Sequence, residues 1–296
     1  MLLVIPVSEA DVHLADDVMA LMKAFGPYQH HDLLVVGSTE NANDVNRIRE
    51  AISPMFRKSE AHIFDCPAKG WPLGPNFYFR ASIMHMFADG LLDQPWYWFE
   101  LDNTPLKAGW MDALQTEYNL SQAVYMGAKQ GTYYKDKDGG LVIDGYHMCG
   151  TAIYPGDFTN RSSLWRFENG VAFDVWIQWE VLPLLHDTKL MQHNWKTINY
   201  RHKNGQIVSD NFDMPHPDLH TNTPIHSDAV VCHGCKDGSL ARLVLDGLNG
   251  KSAALVSDPD PLDEPDAAEP RFDTELVFPK SRKRKKLVEQ PEEVSR

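Results

Sequence analysis

The first hundred residues switch repeatedly between two hydrophobic periods, and that alternation leaves the chain few architectures. Continuous apolar runs at 2–7, 32–37 and 95–101, with a shorter one at 60–64, read as strands. Between them, residues 11–25, 43–56 and about 76–90 carry apolar side chains at helical spacing: Val12, Ala15, Val18, Leu21, Met22 and Phe25 in the first, Val45, Ile48, Ile52 and Phe56 in the second. Strands that are apolar throughout and separated by helices form a mostly parallel sheet covered on both faces. The expected class is therefore α/β, a Rossmann-type central sheet flanked by helices. Its ligand crevice belongs at the carboxyl ends of the strands, where Val7-Ser8, Gly37-Ser38 and Glu100-Leu101-Asp102 fall.

After residue 120 the pattern loosens. Strands at about 122–127 and 145–154, joined through the Asp136-Lys137-Asp138-Gly139-Gly140 turn, predict a smaller mixed β-hairpin region. A helical stretch follows near 173–185, residues 203–224 read as loops, and 228–232 as one more short strand. From about 257 to 296 proline and charge replace hydrophobic residues, a composition that does not pack. The expected organisation is one unit over 1–250 followed by a flexible charged tail.

Composition narrows the function classes. With 43% hydrophobic residues among 296, disorder of the whole chain is excluded. A net charge of −13 excludes wrapping nucleic acid over the whole surface. A polyanion contact must then be local, and the tail offers one cluster for it: Lys280, Arg282, Lys283, Arg284, Lys285 and Lys286. The amino-terminal apolar run lacks a basic leader and soon reaches Glu9 and Asp11, and no stretch approaches about 18 uncharged apolar residues. Four cysteines, Cys66, Cys149, Cys232 and Cys235, fit a reducing compartment better than a disulfide framework. A cytoplasmic protein without a membrane span is expected, in a host cytoplasm if it is phage-encoded.

Chemistry enters with the aromatic run 95–101. It ends in Glu100 and Asp102, and strand alternation puts both carboxylates on one side with Leu101 on the other. Two hard oxygen donors suit Mg²⁺ or Mn²⁺; the plainer reading is an acid that starts a turn. Downstream, His233-Gly234-Cys235-Lys236 offers a nitrogen donor, a residue that lets backbone approach closely, and a cation for a diphosphate. His226 competes with His233 for the nitrogen, while His30, His31, His216 and His220 are expected in loops. Cys232 and Cys235 lack the further ligands that a structural zinc site requires. Asp174 and Glu180 lie six apart on a predicted helix with Trp176 and Trp179, so both acids can face one cleft as candidate general bases.

The order of these elements, a βαβαβαβ start, an acid-x-acid motif, a hairpin region and a late His-Gly-x-Lys, resembles the GT-A-type glycosyltransferases over about residues 1–245. The resemblance implies a nucleotide-sugar donor, a UDP-sugar first among them, with Mn²⁺ or Mg²⁺ held by Asp102, Glu100 and His233. Glu100 stands where the family usually has aspartate. It also implies a donor half (about 1–105) and an acceptor half (about 106–250). Donor contacts would come from Pro6, Val7, Ser8, Gly37, Asn76, Arg80, Thr151, Gly234 and Lys236. The layout is similar to phage-type enzymes that glycosylate hydroxymethylated pyrimidines in DNA. Two other readings of the same residues stay open: a non-enzymatic nucleic-acid or partner-binding protein with a degenerate transferase-like sheet, and a metal-dependent phosphohydrolase.

Overall fold

Leu2–Val7 (β1) is apolar at every position, and its alternate side chains enter different cores: Leu3, Ile5 and Val7 on one face, Leu2 and Val4 on the other. That burial on both faces is what a central parallel strand requires. In the computed structural model, which describes residues 1–135, 141–161, 171–203, 205–212 and 224–250, β1 is followed by helix α1 (Ala15–Phe25), β2 (Tyr28–Ser38), α2 (Ala42–Ile52), β3 (Phe56–Phe64), α3 (Leu73–Ala88), β4 (Trp96–Trp98), β5 (Asn103–Pro105) and α4 (Trp110–Ser121). A hairpin of β6 (Tyr125–Lys135) and β7 (Leu141–Tyr154) comes next, then α5 (Phe158–Arg161), α6 (Phe173–Trp176), α7 (Gln178–Val181), β8 (Leu185–Asp187), β9 (Met191–Lys203), β10 (Gln206–Phe212), β11 (Val231–Cys235) and α8 (Ser239–Leu248).

The central sheet runs β3-β2-β1-β4-β7-β6-β8, parallel from β3 to β4, and a four-stranded sheet runs β10-β9-β11-β5. The expected α/β class, with a mostly parallel sheet and a smaller β region, is what the fold has. β1 pairs with β2 on one side and β4 on the other, so the strand order reverses there. A crevice opens beyond the carboxyl ends of strands at such a switch point. The ends concerned are Val7 and Trp98.

β4 packs by the same alternation. Tyr97 and Phe99 join the core with α1 and α4, while Trp96 and Trp98 join the opposite core, where Trp96 stacks on Tyr154 at 4.5 Å and Phe79 on Phe173 at 3.8 Å. Such aromatic contacts add to the burial itself.

Several expectations need correction. The strand expected over 95–101 stops at Trp98, because its partner β7 pairs only with Trp96 and Tyr97, and the chain turns and enters the other sheet as β5. The expected loop at 203–224 contains a strand in its described part: Gln206–Phe212 (β10) pairs antiparallel with β9, and repeated polar residues hid strands with one solvent-facing side. The helix expected over 173–185 is broken at Ile177 into two single turns, followed by a 3-10 turn over Leu182–Leu184 and then β8. His30 and His31 sit on β2, not in a loop, and His31 is buried with Nε2 2.9 Å from Asp112. The 136–140 turn, residues 213–223 with His216 and His220, and the whole segment from 251, including the 280–286 cluster, lie outside the described residues. No helix among the described residues is long and apolar enough to cross a membrane.

Candidate functional site

Residues 99–102 carry the chain between the two sheets. Phe99 still donates its N–H to Val4, at 2.9 Å, and Asn103 closes the turn by donating both its backbone N–H (2.9 Å) and its side-chain amide (2.8 Å) to the Glu100 carbonyl. The same amide reaches Thr151 Oγ1 on β7 at 3.2 Å. The two carboxylates therefore converge through a pinned turn rather than by strand alternation.

Strand register supplies the nitrogen donor. β5 pairs antiparallel with β11 so that Asn103 faces His233, and the Gly234 N–H donates to the Asp102 carbonyl at 3.2 Å. Gly234 has φ +105°, a conformation that glycine adopts without strain. His233 Nε2 lies 3.1 Å from Asp102 Oδ1 and 3.3 Å from Glu100 Oε2. Lys236 Nζ lies 2.7 Å from Asp102 Oδ2 and donates to Asp11 Oδ1 at 3.1 Å; Ser8 Oγ in turn donates to Asp11 Oδ2 at 3.1 Å.

Charge is concentrated here out of water. Asp102 is 2% exposed. Burial alone would raise its carboxyl, yet His233 and Lys236 hold it below the usual carboxylate range. Burial likewise opposes charge on Lys236 and His233, and Asp102 outweighs it for both, aided by Asp11 and Glu100 at Lys236 and by Cys149 at His233. Burial raises the Asp11 carboxyl despite Lys236.

The donor set fits a divalent ion on an observation of geometry. Both Asp102 oxygens and His233 Nε2 are buried and make no well-directed hydrogen bond, although they lie at ion-pair distance from one another or from Lys236. Glu100, Asp102 and His233 each offer an atom within 4.8 Å of the others. Two oxygens and one imidazole suit Mn²⁺ or Mg²⁺.

The other sequence candidates scatter. Pro6 and Val7 end β1 and Ser8 follows it beside Asp11, but Gly37 is filled in by packing: a Cβ there would meet Val45 Cγ2 at 2.3 Å and Asn41 Oδ1 at 2.7 Å. Asn76 is buried and spent on structure, donating to the Val171 carbonyl and accepting the Phe173 N–H, each at 2.8 Å. Arg80 is exposed on α3. Thr151 is buried against Asn103. Asp174 Oδ2 accepts the Gly150 N–H at 3.1 Å, and burial raises its carboxyl, with Glu100 adding to the rise and His147 opposing it. Glu180 is exposed beyond the break at Ile177, and its charge acts on Tyr125. His226 is exposed, with its backbone N–H on Gln192. Cys232 faces Tyr200, and Cys235 accepts the Leu240 N–H at the start of α8.

Sequence reading missed Asp11 and Asn103, and it gave no role to Cys149 or His193, whose side chains both meet His233. Only Asn103, adjacent to Asp102, carried a local signal, as an amide that closes turns. The others are brought in by tertiary register alone.

No protein-family model and no curated protein matches the chain. Among solved structures it is similar to the galactosyltransferase LgtC in complex with donor and acceptor sugar analogs, at 9% identity over 84% of this chain and 96% of that chain, with a TM-score of 0.48. It is also similar to the apo form of mouse xyloside xylosyltransferase 1, at 10% identity over 79% and 96% with a TM-score of 0.45. A third similar structure is the bifunctional glycosyltransferase WbbM in its apo form, at 12% identity over 66% and 39% with a TM-score of 0.41. The likeness is one of chain trace, and the structures concerned are GT-A-type glycosyltransferases.

Proposed function

We propose that this chain is a metal-dependent glycosyltransferase that moves a sugar from a nucleotide-sugar donor, a UDP-sugar first among them, to a hydroxyl group. The observation that carries the reading is the convergence of Glu100, Asp102 and His233 beside Lys236 at the switch point of the central sheet. Asp102, with Glu100 and His233, would hold Mn²⁺ or Mg²⁺, which supplies positive charge to the donor diphosphate.

The protein groups divide the remaining work. Lys236, kept charged by Asp102 and Asp11, stabilises the nucleoside diphosphate as the bond from the anomeric carbon to the phosphate oxygen breaks and the acceptor oxygen bonds to that carbon. Asp174, whose burial raises its proton affinity toward that of a useful base, takes the proton of the acceptor hydroxyl. It stands on the Gly150 N–H, between Cys149, which reaches His233, and Thr151, which accepts from Asn103. Pro6, Val7 and Ser8 are assigned to the nucleoside because they end β1 beside Asp11.

For the acceptor, the proposal is a hydroxymethylated pyrimidine in DNA, supported by the cationic run at 280–286 in an acidic chain. Neutralising that run should weaken duplex binding and flatten its salt dependence.

A thermal-shift panel of UDP-, GDP-, CMP- and dTDP-sugars, each with Mn²⁺ or with EDTA, tests the donor site, because a ligand of the native state raises the melting temperature by mass action. A shift with one nucleotide that needs the metal is expected. No shift with any would remove the donor-site assignment, and release of free sugar without an acceptor would turn the reading to phosphohydrolysis.

A further inference from the structure

His233 has a second face. Its Nδ1, turned away from Asp102, lies 2.6 Å from His193 Nδ1 and 3.3 Å from Cys149 Sγ, and His193 Nδ1 lies 3.4 Å from the same sulfur. Three atoms that can each serve as a metal ligand thus lie within 3.4 Å of one another. Within the described residues this cluster and the carboxylate triad share only His233.

The backbone explains the meeting. β11 pairs with β9 in parallel register with His233 opposite His193, which puts the two rings side by side. Cys149 comes from the central sheet at a bulge: β7 advances four residues from Met148 to Ala152 while β6 advances two from Lys129 to Gly127. A bulge re-aims the side chains it carries. Cys149 is 4% exposed.

The donor chemistry differs from that of the carboxylates. One sulfur and two imidazole nitrogens are a zinc set, not a magnesium or manganese one. Zinc–nitrogen and zinc–sulfur bond lengths put tetrahedral ligands roughly 3.3–3.6 Å apart, and both sulfur–nitrogen separations are already at that spacing. The imidazole pair has to open by roughly 0.7 Å to match it.

We propose that Cys149 Sγ, His193 Nδ1 and His233 Nδ1 form a zinc site separate from the carboxylate site, with His233 standing between the two. Zinc binding forms bonds to the sulfur and to both Nδ1 atoms, and it releases to solvent the thiol proton and any proton those nitrogens carry. Three protein ligands leave one position for water. A neutral imidazole has a single lone pair, so with Nδ1 on zinc, Nε2 carries the proton and faces Asp102 as a donor. Zinc occupancy then withdraws His233 from the ligands available to Mn²⁺. The zinc site itself does not depend on the transferase reading.

Metal content and cobalt spectra of the full chain, kept reduced, decide the matter. After loading and dialysis the protein should retain about one zinc per chain, and cobalt in its place should give a thiolate-to-metal charge-transfer band. Cys149→Ser should lose the band, and His193→Gln should lose the zinc. If Cys149→Ser fails to fold, Cys66→Ser, Cys232→Ser and Cys235→Ser assign the thiolate by elimination, since each should keep the band. A wild-type chain without retained zinc or without the band overturns the site. So does a band that one of the other cysteine variants abolishes. Zinc retention and the cobalt band are read without Mn²⁺ or donor, so they stand whether or not a donor-dependent thermal shift is seen.

Discussion

Asn103 donates its side-chain amide to Thr151 Oγ1 at 3.2 Å, joining the small sheet to the central sheet directly behind the acid turn. Since the same amide also holds the Glu100 carbonyl, Asn103→Ala leaves buried polar groups unpaired and should cost about 1–3 kcal/mol. Thr151→Val removes one of those contacts at constant shape and should cost less. Urea midpoints give the stabilities. The Mn²⁺-dependent donor shift should fall further in the Asn103 variant; equal shifts would mean that the turn needs no pin.

Asp102→Asn removes the counter-charge of both His233 and Lys236. Leaving buried partners uncompensated costs roughly 3–5 kcal/mol, so the variant should melt well below wild type even without ligand. It should also lose the metal-dependent donor shift and transfer activity altogether. Calorimetry with and without Mn²⁺ separates the two effects, and transfer at the wild-type rate would eliminate the proposed ion site.

Gly37 is a packing glycine. A methyl group there would press on Val45 Cγ2 and Asn41 Oδ1, and overpacking of this kind costs typically about 1–3 kcal/mol. Val45→Ala relieves the first of these contacts, so the double variant Gly37→Ala/Val45→Ala should be more stable than the sum of its single changes allows. Strict additivity in a denaturant cycle would refute this explanation.

His31 gives the stability a pH slope. Burial holds its imidazole below the ordinary 6.5 in spite of Asp112, so the unfolded chain takes up the proton first. The contribution of His31 is complete above 6.5 and is lost as pH falls below it. His31→Gln should therefore narrow the stability gap between neutral and mildly acidic buffer, read as the difference between the two proteins. A gap of the same size in both would exclude His31 as the source.

The parallel half was legible because β1, β2 and the helices between them carry undiluted periods, and strand-end position alone pointed to Ser8 and Glu100–Asp102. What the sequence could not display is register. Nothing near His193 or Cys149 announces that one lies across a ladder from His233 and the other at a bulge. Asp174 and Glu180 fit a helix by spacing, but the break at Ile177, a residue of ordinary helix propensity, parts them. Gly37 and Asn76 fell at plausible positions for binding and are occupied by packing and by hydrogen bonds within the fold.

The crossing of the chain between its two sheets at residues 99–102 also makes the site indivisible. Glu100 and Asp102 precede β5, whereas His233 and Lys236 follow the long excursion through the hairpins. Any cut between β5 and β11 sends the acids to one fragment and the imidazole and ammonium to the other. Neither piece alone can reproduce the cluster, whereas two pieces that reassociate must rebuild the β5–β11 ladder first. Recovery of the site in a split chain would thus report docking of the sheets, which makes this region a natural place to cut for a fragment-complementation assay.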